Sequence, residues 1–387
     1  MSVKYLLMLC LLAFSVEADN NIKLFNAKEY GAIANDNTDN TWGDACQWNG
    51  SATVLIPEGT YILKSVGFKR PCNGSKTFHI KGILQAPIDP SLLTDQTWID
   101  FRYIDQLRVN GGGTLNGQGT STRQKCLNNP NCQVLFTTMN FGFITNGHVE
   151  NFHSIDSKGG HFIVFGCENM TFTNLTLKSP VDNRNTDGIK ISHTNGINIS
   201  NVNIGTGDDC VAMISGTKRV QISNVFCGPG HGISVGSLGN NDAETNVEDI
   251  VVKSCNFSGT SNGLRIKTWA APLNITLNVS NLIYQDISMN EVQNPIVIDQ
   301  KYCPEHNCDH QENSHVQINN VTYKNIQGSS ATDIAVNFNC SRIKPCQDII
   351  VDNIRLWPYG GKGKQLTNYC FKVSGASYGT QIPTSCI

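Results

Sequence analysis

One short phrase recurs along the chain, and its spacing limits the folds that the sequence can adopt. Seven copies begin at or near Asn169, Gly196, Arg219, Asp249, Asn281, His315 and Asp348. Successive starts are therefore separated by roughly 23 to 34 residues, within the range of structural repeats. Apolar and polar residues alternate within each copy, which is typical of a β-strand, and Gly, Asn and Asp between copies indicate turns. Short strands repeated at such intervals are typical of a solenoid, in which each coil buries its apolar side chains against its neighbours.

We therefore predict an all-β, single-domain, right-handed parallel β-helix. About nine or ten coils are expected, since a solenoid grows by adding coils. The recurring Asn residues are expected to stack in ladders at the turns, because an Asn side chain can hydrogen-bond to the backbone there. A β-sandwich also consists of many short strands, but sandwiches do not repeat one phrase at a near-constant interval.

The N-terminus has the features of a secretory signal. An apolar run, Tyr5–Val16, follows Lys4, and the residues up to Ala18 offer the small side chains that a signal peptidase reads. The run is too short to span a membrane. We predict a signal peptide over residues 1–18, a domain over residues 19–387, and a secreted protein with no membrane span. The alternative is a buried N-terminal strand.

The cysteines fit an oxidising compartment. Loss of Cys10 with the signal would leave fourteen of the fifteen cysteines, an even number, and disulfides persist mainly in secreted proteins. Sequence alone leaves Cys167 and Cys255 either paired or free. Ten Asn-X-Ser/Thr sequons make a glycoprotein the expectation. Close spacing suggests six local bridges: Cys46–Cys72, Cys126–Cys132, Cys210–Cys227, Cys303–Cys308, Cys340–Cys346 and Cys370–Cys386.

The charge balance argues against one class of partner. The formal net charge is −2, without the basic excess that is typical of nucleic-acid-binding proteins, so we predict no nucleic-acid partner. An acidic ligand would be held by local cations, because the whole chain offers no long-range positive field to attract it.

Three aspartates are the strongest candidates for chemistry. Asp187 precedes a glycine, Asp208 and Asp209 follow another glycine one coil length further on, and His231 lies one more coil length past Asp208. Parallel strands lie about 4.8 Å apart, so residues one coil apart become neighbours in space. Crowded carboxylates resist ionising together, so one pKa should rise, which supplies the acid and the base of glycoside hydrolysis. An isolated Asp pair beside Gly would instead indicate a solvated turn.

The aspartates and the histidine are expected to form a column that runs along successive coils, and two cations complete this column. Arg265 and Lys267 follow His231 after a longer interval, which implies an inserted loop, and positions two apart on a strand point to the same face. Arg can hold a carboxylate through two parallel hydrogen bonds, and Lys adds a point charge. Acids beside cations suit cleavage of an acidic sugar polymer. The alternatives are a surface salt bridge for the cations and a structural role for the histidine.

These phrases together resemble the signature motifs of the polygalacturonases, which are pectin-degrading glycoside hydrolases. The similarity extends from about Leu24 to Cys386, and stretches such as Cys340–Cys346 resemble the pollen-type plant exopolygalacturonases. The four motifs occur in the family's order: Asn185-Thr186-Asp187, Gly207-Asp208-Asp209, Gly230-His231-Gly232 and Arg265-Ile266-Lys267.

The resemblance implies a monomeric, inverting hydrolase that cuts α-1,4-galacturonosyl bonds of polygalacturonic acid from a chain end. It implies action in the plant cell wall, with neither a cofactor nor a metal. Asp208 would be the general acid, assisted by His231, and Asp187 and Asp209 would activate the attacking water. Substrate would be bound by three residues, of which the last has simple aromatic packing as its alternative: Arg265, Lys267 and Tyr302.

The sequence leaves several alternatives to this function open. Endo action shares the chemistry; a pectate lyase would share the fold but need calcium; and a wall protein could bind pectin without cutting it. Ligand types for zinc occur within Cys303–His310, although a Cys303–Cys308 bridge is favoured in a secreted chain. The stretch from Asp36 to Cys46 is shorter than in the family, where a short helix caps the solenoid, so we expect a weakened N-terminal cap.

Overall fold

The structure, a computed structural model, describes residues 22–30, 40–69, 71–93, 96–127, 132, 136–304, 313–361 and 365–387. The predicted signal lies outside these ranges, and so do Cys308 and most of the proposed zinc ligands. Within the described part of the chain, no helix is long and apolar enough to cross a membrane.

Eleven strands of the described chain stack in one parallel sheet, here called the site sheet. This number exceeds the nine or ten coils predicted, because the central coils, which run between the paired residues Ile189, Val211 and Ile233, are short. In order, the strands are Val66–Lys69, Thr97–Arg102, Thr137–Gly142, Phe162–Phe165, Ile189–Ser192, Val211–Met213, Ile233–Leu238, Asn262–Trp269, Asn294–Tyr302, Ile334–Asn339 and Thr367–Phe371.

The other faces of the solenoid contain the remaining nineteen described strands. The three longest, Leu277–Val292, Val316–Ser330 and Cys346–Pro358, pair with one another along most of their length. The others are Lys23–Asn26, Ala52–Ile56, Thr60–Ile62, Lys76–Ile80, Ile83–Gln85, Leu107–Asn110, Thr114–Asn116, His148–Ile155, Glu168–Lys178, Asn195–Ser200, Asn203–Gly205, Lys218–Ser223, Phe226–Cys227, Val247–Lys253, Asn256–Ser258 and Val373–Ile382.

All of these pairings are parallel, and the fold is a right-handed parallel β-helix, as predicted. Right-handed crossovers are the strongly favoured connection between parallel strands. Among the described residues, helices are few and short. They are the α-helices Asn40–Gln47 and Gly119–Cys126 and the 3₁₀ helices Ala27–Tyr30, Pro90–Leu92 and Tyr359–Gly361.

The core is a stack of inward-pointing side chains. On the site sheet, strand alternation puts one apolar row inside, and its nine central members are at most 1% exposed. Burying such side chains stabilises the fold by about 25 cal/mol per Å² of apolar surface. The paired residues of this row are Phe101, Phe141, Val164, Ile191, Met213, Val235, Ile266, Ile298 and Phe338.

The predicted asparagine ladders are confirmed. Asn174 donates its side-chain amide to the Asn151 side-chain oxygen at 3.2 Å, and in a later coil Asn325 donates to Asp286 at 2.8 Å. All four residues have positive φ. Asn and Asp tolerate this left-handed conformation better than other non-glycine residues, and each coil turns its corner at the same place.

One expected repeat start was wrong. The phrase assigned to His315 is displaced toward the C-terminus, because Leu282 pairs with Val321, which aligns Asn281 with Asn320. These two asparagines are hydrogen-bonded ladder neighbours, so this coil is longer than the spacing of the phrases predicts. The extra length lies in the connection between the strands Asn294–Tyr302 and Val316–Ser330, which alternation within the phrases does not reveal.

A short helix lies at the N-terminal end of the solenoid. The helix Asn40–Gln47 is present despite the short segment before it, and its Ala45 and Cys46 are buried. A disulfide joins Cys46 to Cys72. The helix is therefore packed and covalently held at this end, and the expected weakening of the cap stays a prediction.

Five predicted disulfides are present: Cys46–Cys72, Cys126–Cys132, Cys210–Cys227, Cys340–Cys346 and Cys370–Cys386. Cys303 is also disulfide-bonded, while its predicted partner Cys308 lies outside the described residues. Cys167 and Cys255 are buried free thiols. Burial raises the thiol pKa of each to about 11, so neither is a reactive thiolate at neutral pH.

Candidate active site

Four consecutive strands of the site sheet bring the predicted residues together. They are Ile189–Ser192, Val211–Met213, Ile233–Leu238 and Asn262–Trp269. The aspartates and the histidine immediately precede the first three strands, and the two cations lie within the fourth. On the outer face the register places Lys190, Ala212, Ser234 and Arg265 in one row. The column predicted from spacing is therefore formed.

Thr186 joins the two aspartate-bearing turns. Its hydroxyl accepts a hydrogen bond from the Gly207 amide at 2.8 Å and donates one to the Asn183 carbonyl at 2.6 Å. Thr186 is fully buried. Because one hydroxyl bonds both segments, the turn carrying Asp187 cannot shift relative to the turn carrying Asp208 without loss of a buried hydrogen bond.

A glycine is required where these turns meet. A Cβ atom added at Gly207 would lie 2.2 Å from the Asn183 carbonyl oxygen. The backbone bends after this glycine, which allows Asp208 and Asp209 both to reach the outer side of the sheet, as predicted. Any larger residue at Gly207 would clash with this carbonyl unless one of the two turns shifted.

Asp209 lies at the centre of a buried ion cluster. Its two carboxylate oxygens accept hydrogen bonds from Arg265 Nη2 and Lys267 Nζ, each at 2.8 Å. Ser234 donates to Asp209 at 2.7 Å and accepts from Arg265 Nε at 3.1 Å. The Asp209 side chain is 2% exposed, against 14% for Arg265 and 9% for Lys267. Both predicted substrate cations are therefore already paired with a protein carboxylate.

Asp208 pairs with His231. The Nδ1 atom of His231 lies 2.9 Å from an Asp208 carboxylate oxygen. Burial alone would raise the pKa of Asp208, but the hydrogen bond and positive charge of His231, together with Lys267 and the Asp209 amide, lower it below its usual value. Asp208 in this state is an ionised carboxylate with a histidine directly beside it that can donate a proton.

Asp187 has the opposite electrostatics. Burial raises its carboxyl pKa to about 7, and the negative charges of Asp208 and Asp209 add to the effect, while Lys190 and Lys267 oppose it. The predicted rise in one pKa is thus found at Asp187. His231 and Lys267 thus favour the ionised form of Asp208, while Asp187 keeps its proton up to near-neutral pH.

A cleft lies over the cluster. It has a volume of about 390 Å³ and is lined on one side by Phe162 and Asn185 and on the other by Lys267 and Tyr302. The ring of Tyr302 lies 5.3 Å from Lys267 Nζ and meets the ring of Trp269 edge to face at 5.3 Å between centroids. Tyr302 therefore lies in the cleft, as its predicted role requires.

Three of these side chains offer potential metal-ligating atoms. The relevant atoms of Asp208, Asp209 and His231 lie within 4.8 Å of one another. The ion pairs of Asp209 and the hydrogen bond between Asp208 and His231 already engage these atoms within the protein. The expectation that no metal is needed stays a prediction.

Several residues of the site are not predicted from the sequence. Ser234, Lys190 and Trp269 lie beside the predicted cluster, and none belongs to a motif. Only the strand register indicates that these residues belong to the site. In the outer row, Ser234 lies one strand from Arg265, and Lys190 lies three strands from it. Without the exact coil lengths, that adjacency is not readable from the sequence.

The comparisons with known proteins agree with this geometry. A family model described as glycosyl hydrolases family 28 matches residues 46–377. An exopolygalacturonase of Platanus acerifolia is 40% identical over 367 residues, which covers 93% of this chain and 97% of that protein. A polygalacturonase of Gossypium barbadense is 38% identical, with coverage of 92% and 89%.

Solved structures support the fold. An endo-xylogalacturonan hydrolase from Aspergillus tubingensis superposes with a TM-score of 0.78 at 20% identity, covering 92% of this chain and 100% of that one. A hyperthermoactive exopolygalacturonase from Thermotoga maritima gives 0.70 at 16% identity, covering 87% of each chain. Identities this low show a common architecture only. On the family match and the identity to the curated relatives, this chain belongs to the glycosyl hydrolases of family 28.

Proposed function

We propose that this protein hydrolyses the α-1,4-galacturonosyl bonds of polygalacturonic acid with inversion, releasing galacturonate from a chain end. The observation that supports this most strongly is the juxtaposition of three carboxylates with Arg265 and Lys267 on one face of four adjacent strands. Two curated relatives at 40% and 39% identity are named exopolygalacturonases, which favours exo action over endo action.

In the proposed reaction, Asp208 protonates the leaving glycosidic oxygen. The proton comes to Asp208 from His231, which contacts it at 2.9 Å. Asp187 and Asp209 position a water molecule and accept its proton as the water attacks the anomeric carbon from the opposite face. An inverting enzyme needs an acid and a base on the two sides of the bond, with space for that water.

A different assignment of the acid has one observation in its favour. The pKa of Asp187 is raised to about 7, so this carboxyl is the one that holds a proton in the absence of substrate. A galacturonide with an activated aryl leaving group separates the two assignments, since departure of such a group needs no acid. Loss of activity through Asp208→Asn should be largely rescued by that substrate, and loss through Asp187→Asn should not.

The activity itself is tested by incubating the purified protein with polygalacturonate and resolving the products over time. We expect galacturonate monomer from the first time points, with an inverted anomeric configuration. Mixed oligomers would show endo action instead. Unsaturated products absorbing in the ultraviolet, with activity lost in EDTA, would show a calcium-dependent lyase. Binding without release of reducing ends would favour a non-catalytic wall protein.

The setting of the reaction is part of the same proposal. We propose a secreted, glycosylated monomer that acts in the plant cell wall and needs no cofactor. Support comes from the apolar N-terminal run and from the disulfides, which form in oxidising compartments. Sedimentation of the protein secreted by plant cells, before and after glycosidase treatment, measures both its oligomeric state and its glycan content.

A further inference from the structure

The cleft contains a cation that none of the motifs includes. Lys190 lies on the strand Ile189–Ser192 and points to the outer face, between Ile163 and Ala212 on the neighbouring strands. Its side chain is 44% exposed and lines the same cleft as the three aspartates. Its ammonium nitrogen lies 3.7 Å from an Asp187 oxygen, which is within range of an electrostatic contact but too long for a hydrogen bond.

The other two site cations differ from Lys190 in their partners. Arg265 and Lys267 each hydrogen-bond to Asp209 at 2.8 Å and are nearly buried. Within the described part of the chain, Lys190 Nζ makes no hydrogen bond to protein. Its ammonium group is partly exposed in the cleft and carries three N–H donors, so a ligand can accept from it without breaking an internal hydrogen bond.

The register also places these cations at opposite ends of the reacting centre. Lys190 and Arg265 belong to one outer row and are three strands apart, which is about 14 Å at the usual strand spacing. Only the small side chains of Ala212 and Ser234 lie between them in that row. These small side chains leave room above the sheet for the two sugars that a scissile bond joins, and each sugar can direct its carboxylate toward one cation.

We propose that Lys190 binds the carboxylate of the sugar on the Asp187 side of the scissile bond, opposite the sugar held by Arg265 and Lys267. This proposal rests on the proposed function and refines its specificity. The enzyme then binds a carboxylate on both sides of the scissile bond. A methyl ester on the Asp187 side removes the ion pair between that carboxylate and Lys190.

The test compares Lys190→Met, Lys190→Arg and a matched control. Lys218→Met is the control, because Lys218 is also 44% exposed and ion-paired, at 3.2 Å to Glu248, but lies on another sheet. On polygalacturonate we expect Lys190→Met to raise KM about tenfold, equivalent to about 1.4 kcal/mol, with kcat changed much less. Lys190→Arg should restore most of the affinity, and Lys218→Met should behave as wild type.

The substrate series decides between a contact and an indirect effect. Wild type should prefer polygalacturonate to its methyl ester, and Lys190→Met should lose about tenfold of that preference. An unchanged preference would overturn the proposal. So would a shift of the pH profile to higher pH at constant KM, since that result means that Lys190 only lowers the pKa of Asp187.

A binding measurement tests the role of Lys190 independently of the proposed hydrolytic activity. Affinity for trigalacturonate is measured by calorimetry in the Asp208→Asn protein, with and without Lys190→Met. A tenfold loss of affinity supports the contact whether or not the wild type cuts the polymer. Equal affinities, or no binding by either protein, overturn it. Failure of the proposed function alone appears as absence of galacturonate release by wild type.

Discussion

At the scale of single residues, the two carboxylates Asp187 and Asp208 illustrate how environment divides identical side chains. Both are aspartates in glycine-containing turns, yet burial and neighbouring anions raise the pKa of one, while His231 and Lys267 lower that of the other. The sequence predicted that the pKa of one crowded carboxylate would rise, because like charges repel at short range. It could not say which, since that depends on where the cations come to lie.

Asp208→Asn should abolish most turnover. The amide cannot donate a proton to the leaving oxygen, so we expect kcat to fall by about 10²–10⁴-fold, which is the usual range for a lost general acid. Substrate affinity should change little, because the shape of the side chain is kept. Steady-state kinetics on polygalacturonate measure both quantities. The control is Asp182→Asn, at an exposed position of the loop that precedes Asp187. Retained turnover in Asp208→Asn would refute the assignment of Asp208 as the acid.

Asp187→Asn should stabilise the fold, and more so at alkaline pH. The pKa of Asp187 is about 7 in the folded protein, against 3.8 for the free side chain. The contribution of the protonated carboxyl to the free energy of unfolding is therefore fully present below pH 3.8 and is lost as the pH rises through 7. An amide lacks this titration. We expect the variant to gain about 1–3 kcal/mol in unfolding free energy at pH 8 and almost nothing at pH 4. Urea unfolding at both pH values measures the difference, and a gain independent of pH would contradict the argument.

At the scale of elements, the strands depend on the corners that join them. The alternating phrases predicted the strands, and the recurring Asn residues predicted the ladders. The shift from His315 to Asn320 shows the limit of this inference. An insertion in one coil changes which phrase pairs with which, and nothing local in the phrase records the length of a distant loop.

The ladder residue Asn325 provides a test of corner geometry. It has a φ of 51° and accepts a hydrogen bond from Asn353 while it donates one to Asp286. We expect Asn325→Ala to lose about 2–3 kcal/mol, from left-handed strain and lost hydrogen bonds. Asn325→Gly should lose only about 1 kcal/mol, because glycine adopts this φ freely.

Thermal unfolding of both variants measures these losses. Gln327→Ala, at an exposed position of the same strand, is the control and should be nearly neutral. Equal losses for the Ala and Gly variants would show that the hydrogen bonds, rather than the backbone conformation, make the ladder important.

At the scale of the whole molecule, stability is distributed along the solenoid while chemistry is local. Each coil contacts mainly its neighbours, so a defect at one end need not reach the site. The helix and disulfide at the N-terminal end lie several coils from the aspartates. The Cys210–Cys227 disulfide, by contrast, begins at the residue after Asp209.

Removing these two disulfides should therefore separate stability from activity. The Cys46–Cys72 and Cys210–Cys227 bridges span 26 and 17 residues, so each should contribute about 3 kcal/mol by restricting the unfolded chain. Replacing both cysteines of either pair by Ala should lower Tm similarly. Only the second double variant should also lower kcat at a temperature where both proteins are folded. An equal loss of kcat in the first would contradict the local picture.

The sequence by itself determined the solenoid, most disulfides and which acidic and basic residues come together on one face. The solenoid and the shared face follow from periodicity, because a repeated strand and turn leave few ways to bury the apolar residues, and the disulfides follow from the close spacing of the cysteines. Only the tertiary structure decided that Arg265 and Lys267 are paired with Asp209, that Asp187 is the carboxyl with the raised pKa, and that Lys190 is exposed in the cleft. The reason is that pairing and desolvation depend on exact coil lengths, which bring residues from separate turns within a few ångströms.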